Sequence, residues 1–328
     1  MTMNRPGFDA DLRVLLAEMP FVPELNAEVL AQIRPFAAQP VEPLLDGRAV
    51  DRREITVPGP DGVPLALSIL RPAGAGPAGA LPCVYWIHGG GMVMGNRYSQ
   101  LDIPLEWLER FGAVVISVDY RLAPEAQGTA AVDDCYHGLV WIAEHAADLG
   151  IDPGRIVVAG ASAGGGLAAG TTLLARDRAT PPIAGQVLIG PMLDHRNDTI
   201  SSRQFAGEPG VWTREMNAFG WRSLLGGLDG EVPAYVSPAL ADDLSGLPAT
   251  YVDAGSAEVF RDEAVTYATR IWAAGGRADL HVWTGGCHGF DALYPAAPVS
   301  AAARRARTDW LARLLGPDDR GPSRSVSG

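Results

Sequence analysis

A serine stands inside Gly160-Ala161-Ser162-Ala163-Gly164, directly after a short β-branched run and directly before a helix-forming stretch. In that strand–turn–helix setting G-x-S-x-G is the pattern of a nucleophile elbow. The reason is steric. A serine on so tight a turn needs neighbours without bulk, and Gly160, Ala161, Ala163, Gly164, Gly165 and Gly166 supply them. The turn lifts the Ser162 hydroxyl off the strand and puts it at a helix N-terminus, where N–H groups favour developing negative charge. A dinucleotide-binding turn would want G-x-G-x-x-G, and Ser162 occupies the place of its second glycine. A phosphate loop would want Gly-Lys-Ser/Thr, and no lysine is present there.

A second signal is His88-Gly89-Gly90-Gly91, immediately after the apolar run 83–87. Three consecutive glycines cost conformational entropy, which is worth spending where backbone N–H groups must approach something closely. Such a loop supplies oxyanion donors in partnership with the N–H of the residue after the nucleophile, here Ala163.

A serine hydroxyl needs a base, and the base needs an orienting carboxylate. Where an elbow and such a loop occur together, the chain order is Ser, acid, His. His195, His281 and His288 follow Ser162. His195 precedes any strand that could carry the acid, and His281 sits inside a strand. His288, in the loop Gly285-Gly286-Cys287-His288-Gly289-Phe290 past the final strand, is where a base is expected. For the acid, the region after residues 250–253 offers Asp253, Glu258, Asp262 and Glu263. Asp253 closes the strand itself, while Asp262 and Glu263 begin a helix, where carboxylates serve caps and dipoles. Glu258 lies in the loop between and leads on position, with the others left open.

These residues require a frame. Apolar periodicity predicts helices over 9–18 and 24–33, then a Pro-rich connection over 35–43. Residues 53–57 and 65–70 read as a hairpin about Gly59-Pro60-Asp61-Gly62, and 72–82, almost wholly Ala, Gly and Pro, as an exposed loop. Buried strands follow at 83–87, 114–118, 156–159, 186–189, 250–253 and 280–283. Helices at 100–111, 129–149, 163–176 and 262–274 alternate with them, and a last helix spans 301–315. The alternation predicts an α/β fold with a largely parallel sheet, helices on both faces and the hairpin at an edge. Between Asp194 and Leu247 the alternation stops, and Phe205, Trp212, Phe219 and Trp221 appear among polar residues. That insertion is expected to cap a ligand pocket, with Trp212, Phe219 and Trp221 lining it. The resulting division is 1–45 and 195–247 as helical cap, 46–194 and 248–316 as catalytic domain, and 317–328 as a disordered tail.

Composition narrows the partners. A formal charge of −12 over 328 residues disfavours nucleic acid and anionic membrane surfaces. No run reaches the roughly 18 apolar residues of a membrane span, and residues 1–20 do not read as a secretory signal. The three cysteines, Cys83, Cys135 and Cys287, are odd in number and lack CxxC spacing, which fits structural thiols in a reducing compartment. A cytoplasmic location and no metal are expected.

Across nearly its whole length the chain resembles the bacterial hormone-sensitive-lipase-like esterases. The resemblance is carried by His88 to Gly91, by Asp119-Tyr120-Arg121-Leu122-Ala123-Pro124-Glu125, by Gly160 to Gly165, by Gly190-Pro191 and by His288-Gly289-Phe290. It implies the α/β-hydrolase fold with an eight-stranded sheet and a helical cap, and a carboxylesterase acting without cofactor on a small ester. It also implies Ser162 as nucleophile, His288 as base, and Gly90, Gly91 and Ala163 as oxyanion donors. Glu258 stands where the family's Asp-Pro-x-x-Asp-Glu run has its acid. Ala161 replaces a common aspartate and Gly166 a frequent asparagine. Tyr120 to Glu125 are expected to brace the loop under the site, and dimerisation through the edge strand or last helix is common in similar proteins. The same scaffold also serves amidases, lactonases and dehydratases. It serves hormone-binding receptors too, which typically lose the histidine retained here at 288.

Overall fold

The computed structural model describes residues 4–19, 24–74, 80–207, 211–226, 228 and 230–316. The expected tail at 317–328 and residues 75–79 of the expected loop lie outside them.

Eight strands form one sheet: β1 (Val50–Pro58), β2 (Pro64–Pro72), β3 (Leu81–Ile87), β4 (Val114–Asp119), β5 (Ile151–Ala161), β6 (Gly185–Ile189), β7 (Ala249–Gly255) and β8 (Ala278–Trp283). Their order is β1-β2-β4-β3-β5-β6-β7-β8. The hairpin β1–β2 and the pair β2–β4 are antiparallel, and every other pair is parallel. The expected mostly parallel sheet with an antiparallel edge is what the chain forms.

Successive residues of a strand face opposite sides, so the central strands feed two cores. Tyr85, Val158, Leu188 and Val252 pack on one side, and Val84, Trp86, Val157 and Tyr251 on the other. The first side is covered by helices Ala130–Glu144, Ala163–Asp177 and Arg261–Ala273, the second by Asp102–Phe111 and Pro298–Leu315. Because both faces are covered, the strands read as continuous apolar runs without alternation.

Two departures from the sequence reading have local causes. Residues 129–149 form two helices, Ala130–Glu144 and Ala146–Leu149, broken at His145, whose Nδ1 pairs with the carbonyl of Trp141 at 2.8 Å. The second predicted helix runs from Ala27 to Ala37, through Pro35. Proline there removes an N–H, but Arg34 clamps the last turn to Val93 O, Ala123 O and Glu125. A short helix Glu42–Leu45 then occupies part of the expected connection.

The N-terminal segment reaches the far end of the sheet. Asp9 N donates to Gly285 O at 2.9 Å, and Leu12, fully buried, packs with Cys287 and Phe290. Helix Ala10–Ala17 thereby holds the loop that carries His288. Among the described residues no helix is long and apolar enough to cross a membrane.

Candidate active site

Strand β5 ends at Ala161, and Ser162 follows with φ 58° and ψ −122°. A non-glycine residue in that region is strained by about 1–3 kcal/mol. The surroundings over-determine it. Ser162 N donates to Ile189 O at 2.7 Å, and its carbonyl accepts from Met192 N at 3.0 Å and Gly166 N at 3.1 Å. The glycines of the elbow are required by contact: a Cβ on Gly164 would lie 2.0 Å from Ile87 O, and one on Gly160 would lie 2.2 Å from Gly164 O.

The elbow aims the hydroxyl at the loop after β8. Ser162 Oγ lies 2.8 Å from His288 Nε2, and His288 Nδ1 lies 2.5 Å from Glu258 Oε2. A buried carboxylate on Nδ1 favours the Nδ1–H tautomer, which leaves Nε2 free to accept from the serine. The other oxygen of Glu258 accepts from Gly255 N at 2.6 Å, so the carboxylate is fixed at both ends. His288 is 8% exposed and Glu258 3%, and the ring of Phe260 stands edge-on to the imidazole. Cys287, next to the histidine, is buried, and burial pushes its thiol up to about 12, too high for a thiolate nucleophile.

The remaining acid candidates are engaged elsewhere. Asp253 bonds Arg307, Asp262 accepts from Ser201 N and Arg261, and Glu263 accepts from Leu193 N. Burial raises the carboxyls of Asp253 and Glu263 above the usual carboxylate range. The other two histidines are likewise committed. His281 stacks between Tyr251 and Trp283, and His195 pairs with Ser237 Oγ.

Opposite the histidine lies the glycine loop. Gly89 N donates to Gln100 Oε1 at 2.9 Å. The N–H groups of Gly90, Gly91 and Ala163 meet no acceptor among the described residues. Gly90 and Gly91 have φ of +123° and +62°, conformations that favour glycine. A Cβ on Gly91 would come within 2.3 Å of Trp212 Cη2. The loop rests on Tyr120, whose hydroxyl donates to His88 O at 2.9 Å and whose ring stacks on the His88 imidazole.

A cavity of about 460 Å³ opens over Ser162 and His288, walled by Ile33 and Phe36 from the N-terminal segment and by Trp212 and Met216 from the 195–247 insertion. Of the three aromatics expected to line it, Trp212 does so; Phe219 and Trp221 are not among its walls. Trp221 is turned 140° from Met216 around helix Arg214–Leu225, is 2% exposed and borders a separate cavity beside His195 and Arg222. Phe219 packs half-buried against the main core. Sequence reasoning passed over Gln100 and Arg34, which position the glycine loop and the cavity wall. No local motif announces them, because their partners are remote in the chain.

A family model described as alpha/beta hydrolase fold matches residues 84–292. Esterase LipI of Mycobacterium tuberculosis is 33% identical over 304 residues, covering 92% of this chain and 93% of that protein. Carboxylesterase NlhH of the same organism is 32% identical over 325 residues, covering 96% and 98%. Among solved structures, a bacterial heroin esterase superposes with a TM-score of 0.85 at 35% identity, covering 94% of this chain and 98% of that one. Esterase LipW from Mycobacterium marinum does so with a TM-score of 0.85 at 33% identity, covering 95% and 99%. The chain thus belongs to the α/β-hydrolase fold family, among its hormone-sensitive-lipase-like esterases, and is a carboxylic ester hydrolase.

Proposed function

We propose that Ser162, His288 and Glu258 are the catalytic triad of this carboxylesterase and that Gly90, Gly91 and Ala163 form its oxyanion hole. The observation that carries this is the continuous hydrogen-bonded line from Ser162 Oγ through His288 to Glu258, at 2.8 and 2.5 Å. Ser162 Oγ attacks the ester carbonyl carbon as its proton passes to His288 Nε2, and Glu258 stabilises the resulting imidazolium. The carbonyl oxygen takes the charge and accepts from the three unengaged N–H groups, which are already in place before reaction. His288 then gives its proton to the leaving alcohol oxygen as the C–O bond breaks. Water, deprotonated by His288, attacks the acyl-enzyme, and the carboxylic acid leaves as Ser162 recovers its proton.

The described parts of 1–45 and 195–247 act as the cap, since both wall the cavity while 46–194 and 248–316 carry the reacting groups. Apolar walls and a volume of about 460 Å³ support short- to medium-chain acyl groups or small alcohols. Val282 and Trp272, exposed at the β8 edge, support pairing of two copies there, which sedimentation would reveal.

Initial rates on p-nitrophenyl esters from acetate to decanoate, with Ser162→Ala and Glu258→Gln in parallel, test the assignment. Turnover should peak at short chains, vanish in Ser162→Ala and fall by about 10³–10⁴ in Glu258→Gln. Asp262→Asn should stay within a few fold of wild type. Full loss in Asp262→Asn with an active Glu258→Gln would move the acid to Asp262.

A further inference from the structure

We propose that the inner end of the Ser162 cavity is a specificity subsite in which Arg307 donates a hydrogen bond to a neutral oxygen of the ester itself. The favoured substrates, given the Ser162 chemistry proposed above, then carry an ether, hydroxyl or keto oxygen beyond the scissile group.

The cavity that opens over Ser162 is apolar at its mouth, but its walls also include Asp253, Asp291 and Arg307. Arg307 belongs to the last helix and is 1% exposed. Its Nε donates to Asp253 Oδ2 at 2.8 Å and its Nη1 to Asp291 Oδ2 at 2.5 Å. Its Nη2 meets no hydrogen-bond partner among the described residues. A guanidinium is planar and donor-only, so two fixed edges leave the third pointing in a determined direction with nothing to receive it. Such a buried donor is costly unless something accepts from it.

The charge balance selects the acceptor. One guanidinium already serves two buried carboxylates, and a further wall carboxylate, the part-exposed Asp102, is paired to Arg304. An anionic substrate would add a further negative charge to a low-dielectric pocket, so a neutral oxygen fits and a carboxylate does not. Asp253 Oδ2 is already filled, since it also accepts from Trp283 Nε1 at 3.2 Å and Tyr251 Oη at 3.4 Å. The anchors are tied to the catalytic segments. Asp253 lies on β7, whose end leads to Glu258, and Asp291 follows His288 on one short loop and helix. Arg307 is therefore held in register with the reacting atoms.

The test uses the full chain and matched ester pairs in which one CH₂ is replaced by an ether oxygen at successive positions. One series places it in the acyl half of p-nitrophenyl pentanoate and hexanoate. The other places it in the alcohol half of alkyl butanoates followed by pH-stat. Each kcat/KM is divided by the ester's own hydroxide hydrolysis rate to remove intrinsic reactivity. At one position in one series the oxygenated ester should be favoured by about tenfold or more, as for other hydrogen bonds to a charged donor. In Arg307→Lys, which keeps the charge for both carboxylates but loses the planar fork, that ratio should fall towards one. Ratios at or below one throughout the wild-type panel overturn the subsite whether or not Arg307→Lys folds, and so does a preference that survives in the variant. Turnover of plain esters without any preference sinks the subsite alone. No turnover of any ester by the wild type sinks the Ser162 reading, and the subsite with it.

Discussion

Tyr120 and His88 meet twice: the phenol donates to the histidine's main-chain carbonyl at 2.9 Å, and the two rings stack with centroids 4.3 Å apart. Both residues are buried, and His88 is the first residue of the glycine loop. A loop of three glycines has no side chains with which to hold itself. Its rigidity comes from below, through Tyr120 and through Ala123 N, which donates to Met92 O at 2.9 Å. An oxyanion hole gains its effect from donors that need not reorganise during reaction, so this support belongs to catalysis as much as to folding.

Tyr120→Phe keeps the stack and removes the donor. The His88 carbonyl loses that partner in a buried setting, at a cost of about 1–3 kcal/mol in stability. Urea denaturation should show that loss, and kcat on p-nitrophenyl acetate should fall while KM changes little. A fall confined to stability, with kcat intact, would mean the loop holds its shape without the phenol.

His88 itself is buried as the neutral imidazole. Burial takes its pKa down from 6.5 to about 4, against the opposing pull of the Gly89 carbonyl and Asp119. Below about pH 6.5 the unfolded chain binds a proton that the folded chain does not, so stability falls as pH falls from about 6.5 towards 4. Between pH 7 and 4.5 the loss from this group is on the order of 2–3 kcal/mol. In His88→Asn that share disappears while the shifts of Asp253 and Glu263 remain common to both proteins. Urea midpoints at the two pH values should therefore drop further in wild type than in the variant, and equal drops would refute the assignment.

The reach of sequence reading follows from where each partner lies. Ser162 and the glycine loop are legible because their geometry is enforced by neighbours: small residues at 160–166 and three glycines at 89–91. Glu258 is legible only as the leading member of four carboxylates. Nothing local says that Asp253 is tied to Arg307 or Glu263 to Leu193 N, bonds that span 54 and 70 residues. The strands and the mostly parallel sheet follow from apolar runs alternating with helices, but the exchange of β3 and β4 in the sheet order does not. Helix faces do not: composition marks Trp212, Phe219 and Trp221 alike, but only Trp212 faces the cavity. The helix through Pro35 escapes propensity because its last turn is held by Arg34 from outside.

Gly91 and Trp212 should be coupled. In Gly91→Ala the new methyl meets Trp212 Cη2 at 2.3 Å and the backbone is held at φ +62°. The steric part involves Trp212 alone, whereas the backbone part, about 1–2 kcal/mol, does not depend on the indole. The stability loss of Gly91→Ala/Trp212→Ala should therefore be smaller than the sum of the single losses by about 1 kcal/mol or more. Strict additivity in urea denaturation would show that the indole does not press on the loop.

Arg34 and Glu125 form an ion pair whose two halves should differ in consequence. Arg34 Nη1 lies 2.6 Å from Glu125, but its Nε and Nη2 also donate to Val93 O and Ala123 O, each at 2.7 Å. Those carbonyls belong to the turn that follows the glycine loop and to the segment that braces it, and Arg34 sits between Ile33 and Phe36, which wall the cavity. The Glu125 side chain is 64% exposed, and an exposed pair contributes little. Glu125→Gln should therefore cost under about 1 kcal/mol and leave KM near wild type. Arg34→Met, which keeps the aliphatic stem, should cost about 2 kcal/mol by removing charge-assisted bonds to two carbonyls, and should raise KM as the helix loosens from the cavity. Denaturation midpoints and Michaelis curves on p-nitrophenyl butanoate separate the two. Equal losses from both variants would place the stabilisation in the ion pair and not in the carbonyl clamp.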